Sequence, residues 1–215
     1  GIDITKDKII TIALETSTSN RNWPFSYVRS LTEKLVREGL KVIWLGLDKD
    51  RGKTYFNSCA CGWEFTATIE DRPDDLSFIC PICKTENKNL DFSNNKNIVN
   101  LSGKTSIREC MSIIAMSNVV VAPNSSLMVI STALNIPTIG LFGAFNPKLR
   151  AKFYEKFTPL WGKAKCAPCD EHWTECKNGH PAPCMKLISP NEVFIEVLNS
   201  LQKYPRQAIE RIPIE

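Results

Sequence analysis

Residues Ile9 to Leu14 (IITIAL) form an unbroken apolar, β-branched run, and this constrains the fold more than any other feature of the chain. A strand with one face in water alternates apolar with polar residues. A run without alternation suits a strand buried on both faces, as in a parallel sheet covered by helices. After the polar stretch ETSTSNRN, the segment from Pro24 to Glu38 puts Phe25, Val28, Leu31, Leu35 and Val36 on one helical face, and Gly39 supplies the stop. Lys41 to Leu47 (KVIWLGL) then reads as a second buried strand. A strand, helix, strand unit closes with a right-handed crossover, so the two strands are predicted to be parallel neighbours.

The pattern stops from about Asp48 to Asn95, which marks an insertion, and resumes with a strand at Ile98 to Leu101. A helix follows from Ser106 to Met116, with Ile107, Cys110, Ile113 and Ile114 on its inner face. Next come a strand at Val119 to Ala122, a helix opened by an Asn124-Ser125-Ser126 cap and running to Leu134, and a strand at Thr138 to Phe142 closed by Gly143. Five strands alternating with helices predict an α/β fold with an open, doubly wound, Rossmann-like parallel sheet, whose ligand sits outside the carboxyl ends of the strands. Beyond Phe145-Asn146-Pro147 the chain reads as irregular through about Pro183, with a Cys-rich segment at 164–186, and a last helix runs from Pro190 to Lys203. The expected organisation of the 215 residues is a domain split into 1–50 and 96–204, an inserted ribbon at 51–95, and a tail at 205–215.

Eight of the nine cysteines fall in two tight groups, while Cys110 stands alone and reads as a small core residue. The chain shows no basic-then-apolar leader and no apolar run of roughly 18 residues, the length that spans a bilayer. This predicts a cytoplasmic chain without a membrane span, where clustered thiols favour metal over disulfides. The first group reads C-x-C-G-W at Cys59 and Cys61, then C-P-x-C-K at Cys80 and Cys83. Zinc takes four thiolates in a tetrahedron, and tight turns with Gly62 or Pro81 beside the ligands let backbone amides bond the sulfurs. A structural zinc ribbon is expected, with a rubredoxin-like iron site as its chemical rival. The second group, Cys166, Cys169, Cys176 and Cys184, is less regular and has His172 and His180 as substitute ligands. It is read as a second zinc or iron site, against free or disulfide-forming cysteines.

The 27 Lys and Arg against 23 Asp and Glu leave a net charge of +4, too mild and dispersed for a nucleic-acid footprint. Between its first cysteine and Lys84 the inserted ribbon carries Arg72 and Lys84 against Glu64, Glu70, Asp71, Asp74 and Asp75, which argues against a phosphate backbone as its partner. An anionic small ligand fits better. Three polar features are predicted to converge at the carboxyl edge of the sheet: Thr16 to Arg21, Gly103-Lys104-Thr105-Ser106, and Asn124-Ser125-Ser126. Each opens a helix, where free amides bind phosphate, and Arg21 and Lys104 add positive charge. Singly, each is also an ordinary capping motif. Together they point to a nucleotide or a sugar diphosphate.

An ordered series of segments, TSTSNRNWP, KVIWLG, NLSGKTSIRE, VVVAPNSSLMVISTALNIPTIGLFGAFNP and the C-x-P-C run ending in CMKLISPNEV, resembles the donor-binding, carboxyl-terminal half of glycosyltransferase family nine, the ADP-heptose heptosyltransferases of GT-B fold. The resemblance covers nearly the whole chain except the ribbon. It implies that Thr16, Ser17 and Arg21 contact the donor's phosphates or sugar, with Arg21 where the family usually has Lys before x-Trp. It also implies that Lys104 and Thr105 border the base. The family's D-[ST]-G-x-x-H segment falls on Asn124, Ser125, Ser126 and Val129, so a usual Asp is Asn and a usual His is apolar. The implied function is donor binding in an inverting sugar transfer, with helix dipoles and cations stabilising the leaving diphosphate. The implied catalytic base lies in an amino-terminal acceptor domain or partner chain, so the chain is expected to be a fragment inactive alone. The alternative is a non-catalytic binding or scaffold module that keeps the fold.

Overall fold

A computed structural model of the chain describes residues 2–14, 16, 18–46, 54–58, 64–68, 77–79, 84, 86–88, 95–169, 176, 178 and 182–205. The main sheet is wholly parallel. Its strands are β1 (Ile9–Ala13), β2 (Lys41–Leu45), β7 (Ile98–Asn100), β8 (Val119–Pro123), β9 (Thr138–Phe142) and β10 (Phe157–Trp161), in the order β10-β9-β8-β1-β2-β7. From β1 the chain steps outward to β2 and β7; from β8 it steps the other way to β9 and β10. Right-handed crossovers in opposite directions put their helices on opposite faces, which is why the sheet is covered on both sides.

The two faces can be read residue by residue. Ile10, Ile12, Val42, Trp44, Val119 and Val121 point to one face, where α1 (Phe25–Arg37) and α6 (Pro190–Lys203) pack. Ile9, Ala13, Ile43, Leu45, Val120 and Ala122 point to the other, where α2 (Ile107–Ala115) and α3 (Ser126–Ala133) pack. The inner strands β1, β2, β8 and β9 therefore bury both of their alternating sets, as their apolar runs require, while the outer β7 and β10 are only partly buried. α1 docks through Val28, Leu31 and Leu35, all buried, and the Trp44 indole donates to the Thr32 hydroxyl at 3.1 Å. Gly39, at φ 76, ends α1 in a conformation that a side chain would strain.

Strand β10 is an addition to the expected five. Pro159 breaks its hydrogen-bonding potential, so the segment reads as irregular, but at the sheet edge a missing N–H is tolerated. Beside it Gly140 is needed for space, because a Cβ there would lie 2.3 Å from the Phe157 ring. Ile107, expected on the inner face of α2, is instead 57% exposed, whereas Cys110 and Ile114 are buried as expected. Cys110 is thus a core residue.

Between β2 and β7 the insertion forms two separate antiparallel hairpins, β3 (Thr54–Ser58) with β4 (Glu64–Thr68) and β5 (Ser77–Ile79) with β6 (Glu86–Lys88). Two further short helices, α4 (Pro147–Arg150) and α5 (Pro183–Lys186), follow β9 and β10. Among the described residues no helix is long and apolar enough to cross a membrane.

Candidate functional site

Strand order reverses between β1 and β8, so the loops leaving their carboxyl ends diverge and open a crevice. Arg21 spans it. The loop after β1 folds on itself first: the Thr16 amide donates to the Asn22 side chain at 2.8 Å, and the Thr16 hydroxyl donates to the Thr18 carbonyl at 2.5 Å. A 3-10 turn at Ser19–Arg21 then aims the guanidinium across the gap. Its Nε donates to the Thr18 hydroxyl at 2.7 Å and its Nη1 to the Asn124 carbonyl at 2.9 Å, joining the β1 and β8 loops. Burial, then the nearby Arg150 charge, holds the Arg21 pKa below its ordinary value.

Asn124 is buried and Ser125 occupies the N-cap of α3 in extended geometry, yet its side chain makes no capping bond. Its hydroxyl oxygen is buried without a hydrogen-bond partner among the described residues. The amino end of α3 therefore keeps free amides and an unused hydroxyl at the crevice, a ready anion cradle. Ser126 is exposed on the first turn, and Val129, one turn further along α3, is 48% exposed.

Lys104 and Thr105 sit at the end of β7, two strands from β1, or roughly 10 Å across the sheet. Lys104 Nζ donates to the Asn100 carbonyl, and the Thr105 hydroxyl contacts Cys110 Sγ at 3.2 Å. The helix they introduce is already capped: the Ser106 hydroxyl accepts from the Glu109 amide, and the Glu109 carboxylate accepts from the Ser106 amide at 2.7 Å. Those bonds from Ser106 hold the Glu109 carboxyl below its usual range. A fixed carboxylate at this helix start leaves the phosphate character to the other two loops. Ser17 lies outside the described residues.

The loop after β9 adds a residue that no motif announced. Asn146 caps α4, Pro147 starts it, and Arg150 ends it with its guanidinium 4.9 Å from the Phe145 ring centre. This loop is held from beneath by the Cys-rich segment and by the end of β10: the Cys169 amide donates to the Ala144 carbonyl at 2.9 Å, and the Trp161 indole donates to the Gly143 carbonyl at 3.0 Å.

Cys59, Cys61, Cys80 and Cys83 lie outside the described residues, as do His172 and His180. Each cysteine pair falls in the connection of one hairpin: Cys59 follows the last residue of β3, and Cys80 follows the last residue of β5. Lys84, immediately after Cys83, has φ 59, the left-handed geometry of a tight turn. In the second group burial, with the smaller effect of the Cys166, Cys176 and Cys169 thiols, pushes the Cys184 thiol up to about 11. Among the described residues, however, no three His, Cys, Asp or Glu side chains gather closely enough to hold a metal ion. The expected second ligand shell is not formed by the four thiols as they stand.

Residues 81–180 match the sequence model of Glycosyltransferase family 9 (heptosyltransferase). Lipooligosaccharide heptosyltransferase 2 of Haemophilus influenzae is 28% identical over 138 residues, 64% of this chain and 32% of that protein. Among solved structures, the E. coli ADP-heptose lipopolysaccharide heptosyltransferase II superposes with a TM-score of 0.61 at 18% identity, over 93% of this chain and 48% of that one. The iron-containing dodecameric glycosyltransferase TibC from enterotoxigenic E. coli H10407 gives 0.56 at 14% identity, over 92% of this chain and 46% of that one. These relatives are glycosyltransferases, and the α/β sheet is that of the heptosyltransferases. The chain spans about a third of the curated relative and about half of the solved ones.

Proposed function

We propose that this chain is the nucleotide-sugar-binding half of an inverting, heptosyltransferase-like glycosyltransferase. The observation that carries the reading is the Arg21 bridge to the Asn124 carbonyl beside the uncapped start of α3. One half-buried cation, free helix amides and the unpartnered Ser125 hydroxyl meet at the sheet's switch point, the chemistry that a diphosphate needs. In this role the domain holds a nucleotide-diphosphate sugar while an acceptor hydroxyl attacks the anomeric carbon, and Arg21 with the α3 amides stabilises charge on the departing diphosphate. The general base and acceptor site belong to an amino-terminal domain or a partner chain. Lys104 and Thr105, at the β7 edge, are assigned to the nucleoside end rather than to the phosphates.

Calorimetric titration with ADP-, GDP- and UDP-sugars tests this. One base series should bind with a dissociation constant in the micromolar to low millimolar range, about 4–8 kcal/mol. Silence from all three would remove the donor role. The half-exposed Val129 in place of a histidine favours a second reading, a binding module that keeps the donor site but has lost catalysis. Binding without turnover, once the acceptor half is supplied, would select it.

The insertion is read as a structural zinc ribbon with ligands Cys59, Cys61, Cys80 and Cys83, supported by the two hairpins that carry the cysteine pairs and by the turn at Lys84. Zinc or iron at Cys166, Cys169, Cys176 and Cys184 is read from the grouping of those four thiols in the sequence and requires them to close in. Elemental analysis should give one or two zinc per colourless chain. The double variant Cys80→Ser, Cys83→Ser should lose one of them and melt the insertion while far-UV dichroism of the main sheet persists. Global unfolding of that variant would contradict a self-contained insertion.

A further inference from the structure

We infer that Arg150 is a second cation of the anion site, closing with Arg21 on the two phosphates of one ligand and making the site selective for diphosphates over monophosphates. The inference rests on the nucleotide-diphosphate reading above and names a residue outside the three loops from which that reading was built.

Placement comes from the sheet. β8 and β9 are neighbours, with Pro123 beside Leu141, so the loops 124–126 and 143–150 leave the same edge side by side. The Arg21 guanidinium is fixed on the first of these loops through the Asn124 carbonyl. Arg150 is fixed on the second. The Asn146 side chain caps the turn, the Ala151 amide closes it on the Pro147 carbonyl at 2.8 Å, and the guanidinium lies over the Phe145 ring. Such a cation–π contact steadies the guanidinium without using its N–H groups, which stay available to phosphate oxygens. Arg150 is exposed and has no carboxylate partner among the described residues.

The electrostatics agree with the placement. The Arg150 charge helps to push the Arg21 pKa down, so two guanidiniums are held where they repel one another. Such a pair is unfavourable by itself and becomes favourable when an anion lies between them. Because the cations sit on different loops, a ligand that satisfies both must carry charge at two points. A diphosphate offers two phosphorus centres, one to each loop, whereas a monophosphate offers both loops a single centre.

The test is calorimetry on the full chain with inorganic pyrophosphate, with ADP, GDP and UDP, and with the matching monophosphates. The Arg150→Gln variant is compared with Lys148→Gln, which removes the same charge from an exposed residue of the same loop. Arg150→Gln should weaken pyrophosphate and the bound diphosphate by about tenfold or more, as expected for a lost charge-assisted hydrogen bond, and the monophosphate by less than about twofold. Lys148→Gln should leave all of them within about twofold. Equal behaviour of the two variants would overturn the Arg150 assignment and leave the donor reading intact. Arg150-dependent binding of pyrophosphate alone would keep the two-cation site and remove the nucleotide. Binding of neither by the unaltered chain would overturn both.

Discussion

Replacing Arg21 with methionine should cost the chain most of its affinity for a diphosphate ligand, while Arg21→Lys should recover a large part of it. A charge-assisted hydrogen bond contributes about 1.5–3 kcal/mol, so losing one from a partly desolvated cation weakens binding by roughly 10- to 150-fold. Arg21 is the half-buried cation of the crevice, and methionine keeps its length without its charge. Lysine restores a point charge at the position where the resembling family usually carries it, but it cannot reproduce both the Thr18 and Asn124 bonds through a planar fork. A loss of about tenfold relative to arginine is expected for it. Thermal melts separate this from a folding defect, since removing the bridge frees one buried carbonyl and should cost about 1–3 kcal/mol, too little to unfold the chain. Unchanged affinity in a folded Arg21→Met protein would move the phosphate site away from the switch point.

That experiment depends on a geometry that the sequence disclosed unevenly. The apolar runs at Ile9–Ala13 and Thr138–Phe142 gave their strands nearly to the residue, because a strand buried on both faces has no polar interruption to blur it. β10 was hidden for the opposite reason: Pro159 and an exposed position reflect an edge strand, whose rules are looser. Arg21 was legible because a polar loop after a core strand is where ligands meet such sheets. The difference between Ser125 and Ser106 was not. Both stand at helix N-caps in similar local sequence, yet Ser106 is satisfied by Glu109 three residues on, whereas Ser125 has an apolar Met128 at that place. The Glu at N3 is the signal that separates an occupied cap from an available one. Arg150 had no signal at all, since its relation to Arg21 arises only when β9 lands beside β8. The spacing of Cys59, Cys61, Cys80 and Cys83 predicts a metal ribbon; those residues lie outside the described ones, and beside them in sequence stand two antiparallel hairpins.

The Gly162→Ala substitution should be the most destabilising single methyl addition in the described part of the chain. A Cβ at Gly162 would lie 1.7 Å from the Cys184 carbonyl oxygen and 2.7 Å from its carbonyl carbon, both main-chain atoms that no rotamer can move. The Gly162 amide is itself pinned to the Phe142 carbonyl at 2.9 Å, so the strand end cannot retreat without losing that bond. The relief available is to lift α5 from the sheet, which exposes Cys184, Met185 and Ile188, now buried. At about 1.5–3 kcal/mol for each of Met185 and Ile188, undocking costs on the order of 3–6 kcal/mol, or roughly 6–24 °C in Tm for a chain of this size. Gly143→Ala meets only side-chain atoms, Cys184 Sγ at 2.5 Å and Met185 Sδ at 2.7 Å, and should cost about 1–3 kcal/mol by local repacking. Gly39→Ala meets nothing within 4 Å and should pay only the left-handed backbone penalty of about 1–2 kcal/mol. The order of melting temperatures should therefore be Gly39→Ala highest, then Gly143→Ala, then Gly162→Ala. Reactivity of Cys184 toward a thiol reagent supplies the second measurement, because it should be protected in the parent chain and open in Gly162→Ala. The effect reaches the ligand as well. Cys169 and Trp161 hold the Gly143–Ala144 carbonyls from which the Phe145–Arg150 loop departs, so undocking α5 should weaken diphosphate binding without touching Arg21. A Gly162→Ala protein that melts with the parent and keeps Cys184 protected would show that the Cys-rich segment does not rest on β10.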